Sequence, residues 1–164
     1  MLVELTNHET NEKLQIEAGD ICVDELKKQF KANFSKDDFM RIIDNLNVSA
    51  DAKLLLIKLL DITITVGAAV LDVGKKIIEI IKAVTKNFPH ITAGMIIAAI
   101  LSLLIGCIPV LGPLLSWLCT PLFLAVGVGI GILKDIDNTD LGRALNEVVD
   151  TIFAGLKNIP VPSA

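Results

Sequence analysis

The sequence predicts a mainly α-helical protein, arranged as a helical bundle around a central hydrophobic helical hairpin, with a short β-hairpin at the N-terminus. Of its 164 residues, 52% are apolar and only 21% are charged, a high apolar content for a water-soluble domain. Residues 87–133, a run of 47, contain no Asp, Glu, Lys or Arg. Most of the other apolar residues recur at helical spacing. Together these features indicate a helical protein that contacts a membrane.

The N-terminal segment, residues 1–20, is predicted to form the β-hairpin. Val3 and Leu5 alternate with polar residues, as do Leu14 and Ile16, and a polar stretch separates the two runs. Such alternation is typical of strands with one buried face. The remaining residues, 21–164, are predicted to form a helical, membrane-active domain.

Two short helices are predicted next. Leu26, Phe30 and Phe34 recur every fourth residue, which predicts a helix over about 23–33. Ser35 and Asp38 have the spacing of a capping box, in which each residue satisfies a free backbone N–H of the other. A second helix is therefore predicted over about 36–46.

A long helix is predicted from Ser49, a favourable N-cap residue, to about Asn87. Unbroken, it would extend roughly 55 Å, so we expect a break near residues 65–67, and we expect uncharged residues 62–71 to form a buried helix. Polar residues recur along it in steps of three and four, forming a narrow face that we call the polar stripe. Its charged members are Lys58, Asp61, Asp72, Lys75, Glu79, Lys82 and Lys86.

The polar stripe has three interpretations. A channel through a bilayer needs polar groups facing its lumen, and charged residues inside membranes usually mark such a path. The lysines could instead contact anionic lipid headgroups, at about 1 kcal/mol each. The stripe could also be an ordinary solvated face, as the acidic residues Asp72 and Glu79 among the lysines indicate.

The uncharged run is predicted to be the hydrophobic hairpin, residues 91–133. Two prolines and two glycines within residues 106–113 predict the turn, between helical arms at 91–105 and 114–133, with Pro121 kinking or starting the second arm. A bilayer-spanning helix needs about 20 apolar residues, so the run could supply two. The candidate insertion residues are Ile91, Met95, Ile105, Ile108, Pro109, Leu111, Pro113, Trp117 and Leu133. A final amphipathic helix is predicted over about 140–157.

The turn of this hairpin lacks the polar residues that usually connect two membrane spans. Either the hairpin is the buried centre of a helical bundle, or it enters a bilayer with its turn leading. One protein could do both in succession, with a form that hides the hairpin and a membrane form that releases it.

This arrangement resembles the C-terminal domains of the pore-forming colicins. The resemblance rests on amphipathic helices followed by an apolar hairpin, whose first arm is similar at Met95–Gly106. The exit and tail are similar at Ile130–Asn138 and Leu145–Val149. It covers about residues 35–150, while residues 1–20 have no counterpart, and we expect no receptor-binding or translocation segment within these 164 residues. The resemblance implies a channel former that depolarises a membrane, most simply a bacterial inner membrane.

Other functional classes find little support in the sequence. A net charge of −4 argues against nucleic-acid binding, which normally leaves a basic footprint. The irregularly spaced Cys22, Cys107 and Cys119 predict neither a disulfide framework nor a zinc site. No catalytic arrangement can be defended, so we expect no enzymatic activity, no metal and no cofactor. The N-terminus does not have the pattern of a signal peptide.

The sequence therefore predicts a membrane-located, pore-forming toxin or effector. Its expected partners are a lipid bilayer, further copies of itself, and an immunity or delivery protein. Two alternatives stay open: a small integral membrane protein of immunity or regulatory type anchored by the same hairpin, and a soluble helical adaptor.

Overall fold

Eight helices and one four-stranded antiparallel sheet make up the part of the chain that the structure, a computed structural model, describes: residues 1–6, 10–127 and 139–160. The strands are β1 (Leu2–Thr6), β2 (Lys13–Glu17), β3 (Ile64–Val66) and β4 (Ala69–Leu71). The helices are α1 (Val23–Gln29), α2 (Lys36–Asp44), α3 (Ala50–Leu59), α4 (Val73–Asn87), α5 (Ala93–Cys107), α6 (Leu111–Val126), α7 (Asp140–Ile152) and α8 (Ala154–Lys157). The predicted fold class, mainly α with a short N-terminal β-hairpin, is confirmed.

In the N-terminal hairpin β1 pairs antiparallel with β2. Leu2 lies opposite Glu17 at one end of the ladder, and Thr6 lies opposite Lys13 at the other. Val3, Leu5 and Ile16 lie on one face of this pair and are buried, because successive side chains of a strand point to opposite faces. The polar residues between them face solvent, so alternation in the sequence corresponds to the two faces of the sheet.

Residues 64–71 form a second β-hairpin, so the prediction of a buried helix over 62–71 is wrong. The expected break near residues 65–67 is confirmed, but it is a turn between two strands and not a break between two helices. β3 pairs with β4 on one side and with β1 on the other, giving the strand order β2-β1-β3-β4. Val66 pairs with Ala69, which leaves a two-residue loop. Gly67 begins this loop at φ +61°, as a type II′ turn requires at its first central position.

The predicted starts of α2 and α3 are confirmed. The hydroxyl of Ser35 accepts a hydrogen bond from the backbone N–H of Asp38 at 3.2 Å, and the Asp38 carboxylate accepts one from the N–H of Ser35 at 3.1 Å. Ser49 caps α3 by accepting from the N–H of Ala52 at 3.2 Å. The single helix predicted over 140–157 is instead divided into α7 and α8 at the buried Phe153.

Gly74, in the first turn of α4, lies directly against the end of α3. Its N–H donates to the carbonyl oxygen of Ile62 at 3.0 Å, and a Cβ atom added to it would lie 1.7 Å from the carbonyl oxygen of Leu59. Any side chain would therefore push α3 and α4 apart.

We expect Gly74→Ala to lower the free energy of unfolding by about 1–3 kcal/mol or more, the usual cost of overpacking, despite alanine's better helix propensity. The matched control is Gly106→Ala, also in a helix, where an added Cβ meets nothing within 4 Å; it should be neutral or stabilising by up to about 1 kcal/mol. Urea unfolding followed by circular dichroism measures both. Equal stability of the two variants would contradict the close contact at Gly74.

Candidate functional site

Helices α5 and α6 form an antiparallel hairpin joined by residues 108–110. The start of α5 packs closely against the end of α6, since a Cβ atom added to Gly94 would lie 3.0 Å from the carbonyl oxygen of Val126. The turn falls within the predicted residues 106–113, but α6 begins at Leu111 and not at 114. Pro121 lies inside α6. The end of the predicted second arm, residues 128–133 with the candidate insertion residue Leu133, lies outside the described residues.

The middle of helix α5 is enclosed by protein on all sides. Residues 96–101 are buried without exception, and six consecutive residues cover more than one full turn of a helix. The enclosing elements include α4, α6 and α7, all of which contact α5. Both α4 and α7 are amphipathic, with apolar faces turned inward. The most apolar of the described helices is therefore kept from water on two sides by helices that are polar on their outer faces, α4 and α7.

Helix α6 differs from α5 because one of its faces meets solvent. The exposed face carries no charge and consists of small, polar or apolar residues, namely Pro113, Ser116, Thr120, Pro121 and Leu124. Trp117 is half-buried beside this face, and its indole N–H is buried without a hydrogen-bond acceptor among the described residues. Such a surface is unusual for a protein in water, where charged residues normally cover outward-facing helix faces.

The turn of the hairpin is buried at its apolar residues and exposed at its edges. Ile108, Val110 and Leu111 are fully buried, and Pro109 is half-buried. In contrast, Gly106 and Cys107, the last residues of α5, are exposed. Among the remaining candidate insertion residues, Ile91, Met95 and Ile105 are half-buried. The apolar centre of the turn is therefore packed into the protein, and the residues on either side of it, Gly106, Cys107 and Pro113, face water.

The polar stripe is divided between separate elements, because the β3–β4 hairpin interrupts it. Lys58 lies on α3, Asp61 follows α3, and Asp72 precedes α4. The other four members, Lys75, Glu79, Lys82 and Lys86, are on α4, where steps of four, three and four residues place them on one face. A continuous stripe from 58 to 86 is thus absent, and its continuous part is the face of α4.

The loop between α1 and α2 covers part of this α4 face. The Glu79 carboxylate accepts hydrogen bonds from the backbone N–H of Asn33 at 2.9 Å and from the Lys76 ammonium at 3.0 Å. The Lys82 ammonium lies 4.7 Å from the centre of the Phe34 ring, within cation–π range. This cover was not predicted, since neither Asn33 nor Phe34 carries a sequence signal for a contact 46 or more residues away.

The capping box of α2 fixes the end of the covering loop and depends on a carboxylate. Hydrogen bonds from the backbone and the hydroxyl of Ser35 hold the pKa of Asp38 below its ordinary value of 3.8. Because the folded pKa is the lower one, the stabilisation is fully present above the unfolded pKa and is lost as the pH falls through the folded pKa. Acid therefore weakens this anchor of the loop, and neutral pH does not.

The three cysteines differ in accessibility: Cys22 and Cys107 are exposed and Cys119 is buried. Burial raises the pKa of the Cys119 thiol to about 11. At about pH 8 only about one Cys119 in a thousand would be the reactive thiolate.

We therefore expect a maleimide to modify two thiols rapidly in the folded protein at about pH 8, and the third only after denaturation or as the pH approaches the raised pKa. Mass spectrometry of native and denatured samples counts the adducts. Rapid addition of three maleimides to the native protein would contradict the buried position of Cys119.

Within residues 1–6, 10–127 and 139–160, no three His, Cys, Asp or Glu side chains come together as metal ligands. None of the helices in these ranges combines the length and the hydropathy needed to cross a bilayer. The chain matches no protein-family model, and it has no significant similarity to curated proteins or solved structures.

Proposed function

We propose that this protein inserts its apolar hairpin, α5 and α6, into a bacterial membrane and permeabilises it, as a small toxin or effector similar in design to the pore-forming colicins. The described structure would be the form in which the hairpin is hidden. In the membrane form the hairpin leaves its enclosure, and the polar face of α4 contributes to a conducting path.

The observation that carries the proposal is the enclosure of α5. The middle of this uncharged helix packs between the apolar faces of two amphipathic helices, α4 and α7, and the apolar helix α6, so its environment is largely apolar. The surrounding helices can turn the same apolar faces toward a membrane surface once the hairpin has left them. The uncharged outer face of α6 adds a surface that loses little hydration when lipid covers it.

Energetics favour release at a membrane and not in water. Ile96, Ile97, Ile100, Leu101 and Leu104 are buried on α5, and exposing each would cost about 1.5–3 kcal/mol, or roughly 7–15 kcal/mol in total. That is the size of the whole stability of a typical domain, about 5–15 kcal/mol. In a bilayer the same side chains remain in an apolar environment, so most of this cost disappears.

Two features of the described form support a second state. The indole N–H of Trp117 has no acceptor among the described residues, a cost that the membrane interface relieves by hydration of the indole. The α1–α2 loop contacts α4 through one hydrogen bond from Asn33 to Glu79 and the Phe34 ring beside Lys82, so breaking these two contacts would free the α4 face.

Trp117 is the sole tryptophan of the chain and lies on α6, so the unlabelled protein reports insertion. We expect its fluorescence to shift to shorter wavelength with phosphatidylglycerol vesicles, to be quenched by bromine-labelled acyl chains, and to change together with release of an entrapped dye. Measurements at neutral and acidic pH, with and without an imposed membrane potential, cover the plausible triggers. Quenching without dye release would favour the membrane-anchor alternative, and no vesicle association would favour the adaptor and reject insertion.

Conduction along the α4 face makes a separate prediction. We expect Lys75→Glu with Lys86→Glu to shift the reversal potential of single channels toward cation selectivity, because both residues lie on that face and neither forms an ion pair within the described segments. Vesicle binding should persist, and Lys13→Glu with Lys157→Glu, which introduces the same charge change elsewhere, should leave selectivity unchanged. Loss of vesicle binding with unchanged selectivity would indicate headgroup contact instead.

A further inference from the structure

The two most exposed large apolar side chains on the helices of the described chain lie at one site. Leu54 on α3 is 60% exposed and Leu124 on α6 is 79% exposed. Both line a groove of about 740 Å³ between these helices, together with Leu55 and Pro121. The hydroxyl of Ser49 donates a hydrogen bond to the carbonyl oxygen of Ala125 at 3.0 Å, which fixes the two walls of the groove to each other.

The charges at the edges of this groove are arranged symmetrically. Asp51, Leu54, Leu55 and Lys58 all line it, and their spacing of three, one and three residues places them on one face of α3. Asp51 and Lys58 are exposed and form no ion pair within residues 1–6, 10–127 and 139–160. The midpoint between the two charges falls between the two leucines, which makes the face complementary to itself.

We propose that this face, defined by Asp51, Leu54, Leu55, Lys58 and Leu124, is a two-fold interface with a second copy of this chain. When two identical α3 helices pack antiparallel about an axis between Leu54 and Leu55, Asp51 of each copy faces Lys58 of its partner. The leucines then meet at the centre, and Leu124 extends the apolar contact onto α6. Interfaces of this kind are isologous, so one complementary pair occurs twice. The proposal does not rest on membrane insertion, although Leu124 also belongs to the exposed face of α6.

The self-complementary pattern selects this occupant over others. A lipid surface would favour lysines around the leucines, and here an acidic residue stands at one end of the face. A partner of a different kind would not need the charges to be equidistant from the apolar centre.

Exchanging the charges at positions 51 and 58 tests the interface. Sedimentation velocity measures dimerisation at protein concentrations from about 1 μM to about 1 mM, which covers weak to moderate affinities. We expect the parent to dimerise with increasing concentration. Lys58→Glu should weaken the dimer about tenfold or more, because like charges then face each other twice. Asp51→Lys should do the same, and Asp51→Lys with Lys58→Asp should restore dimerisation to near the parental level. Circular dichroism checks that each variant is folded.

A second pair of variants tests the apolar centre. Leu54→Gln should weaken the dimer, whereas Val70→Gln, which changes a side chain of equal exposure, 60%, on the sheet, should not. A parent that stays monomeric throughout, or an exchanged pair that fails to restore the dimer, overturns the proposal. If, in addition to a monomeric parent, Leu54→Gln reduces binding to phosphatidylglycerol vesicles, the occupant of the face is lipid.

Discussion

Replacing Gly106 and Cys107 with lysine is expected to leave the protein folded and to abolish release of dye from vesicles. Both residues are exposed at the end of α5, and a Cβ atom at Gly106 meets nothing within 4 Å. Lysines are favourable at a helix C-terminus, by about 0.3–1 kcal/mol. In the centre of a bilayer each lysine costs about 2.5–3.5 kcal/mol, so the pair would oppose insertion of the turn by about 5–7 kcal/mol.

The measurement compares dye release with vesicle co-sedimentation and circular dichroism. We expect unchanged helicity, persistent vesicle binding through the amphipathic helices, and a loss of release by several orders of magnitude. Ala154→Lys with Asn158→Lys is the matched control, because it adds the same charge at exposed positions of the C-terminal helix region. If the variant with Gly106→Lys and Cys107→Lys releases dye as well as the parent does, the hairpin does not insert with its turn leading, and the colicin-like mechanism is rejected.

Aspartates at Ile108 and Leu111 are expected to unfold the protein before any membrane is present. Both side chains are fully buried. The lost apolar burial amounts to about 3–6 kcal/mol for the pair, and burial of two carboxyl groups adds roughly 2 kcal/mol or more for each. The sum, about 7 kcal/mol or more, is comparable to the stability of an entire domain.

Circular dichroism and the emission of Trp117 should both show loss of the native state in the double variant. The controls Ile108→Val and Leu111→Met keep the sites apolar and should cost less than about 1.5 kcal/mol each. A double variant that melts as the parent does would mean that the turn is not packed into the core. The lysine and aspartate variants therefore test different properties of the same turn. Substitutions at residues 106 and 107 test insertion, whereas substitutions at residues 108 and 111 test folding.

Local signals in the sequence were sufficient to predict several elements. The polar side chains of Ser35 and Asp38 satisfy each other's backbone groups, so the start of α2 depends on four residues only. The two prolines and two glycines of 106–113 likewise predict the turn of the hairpin. The burial of Ile108 and Leu111 could not be predicted, because it depends on which distant residues pack over the turn.

The second β-hairpin was missed although its signal is in the sequence. Residues 62–66 alternate strictly between aliphatic and threonine side chains, and the aliphatic ones, Ile62, Ile64 and Val66, are all fully buried. All five of these residues are β-branched and therefore favour strands, and Gly67 follows as the turn residue. The charges on both sides of these residues have helical spacing, which favours a helix over this period of two.

The exposed Leu54 has a signal in the sequence as well: three consecutive leucines, 54–56, cannot all face the core from one helix.

The position of β3 between β1 and β4 has a consequence for the protein during its synthesis. The last two strands of the sheet lie within residues 64–71. Helix α4 ends at Asn87, where the uncharged run begins. The four described strands and the first four helices have therefore left the ribosome before α5 emerges. Since the chain emerges from its N-terminus at about 5–20 residues per second, we expect these elements to be available as a partial scaffold when the hairpin emerges. The most aggregation-prone part of the chain would then pass from the ribosome to a prepared apolar surface.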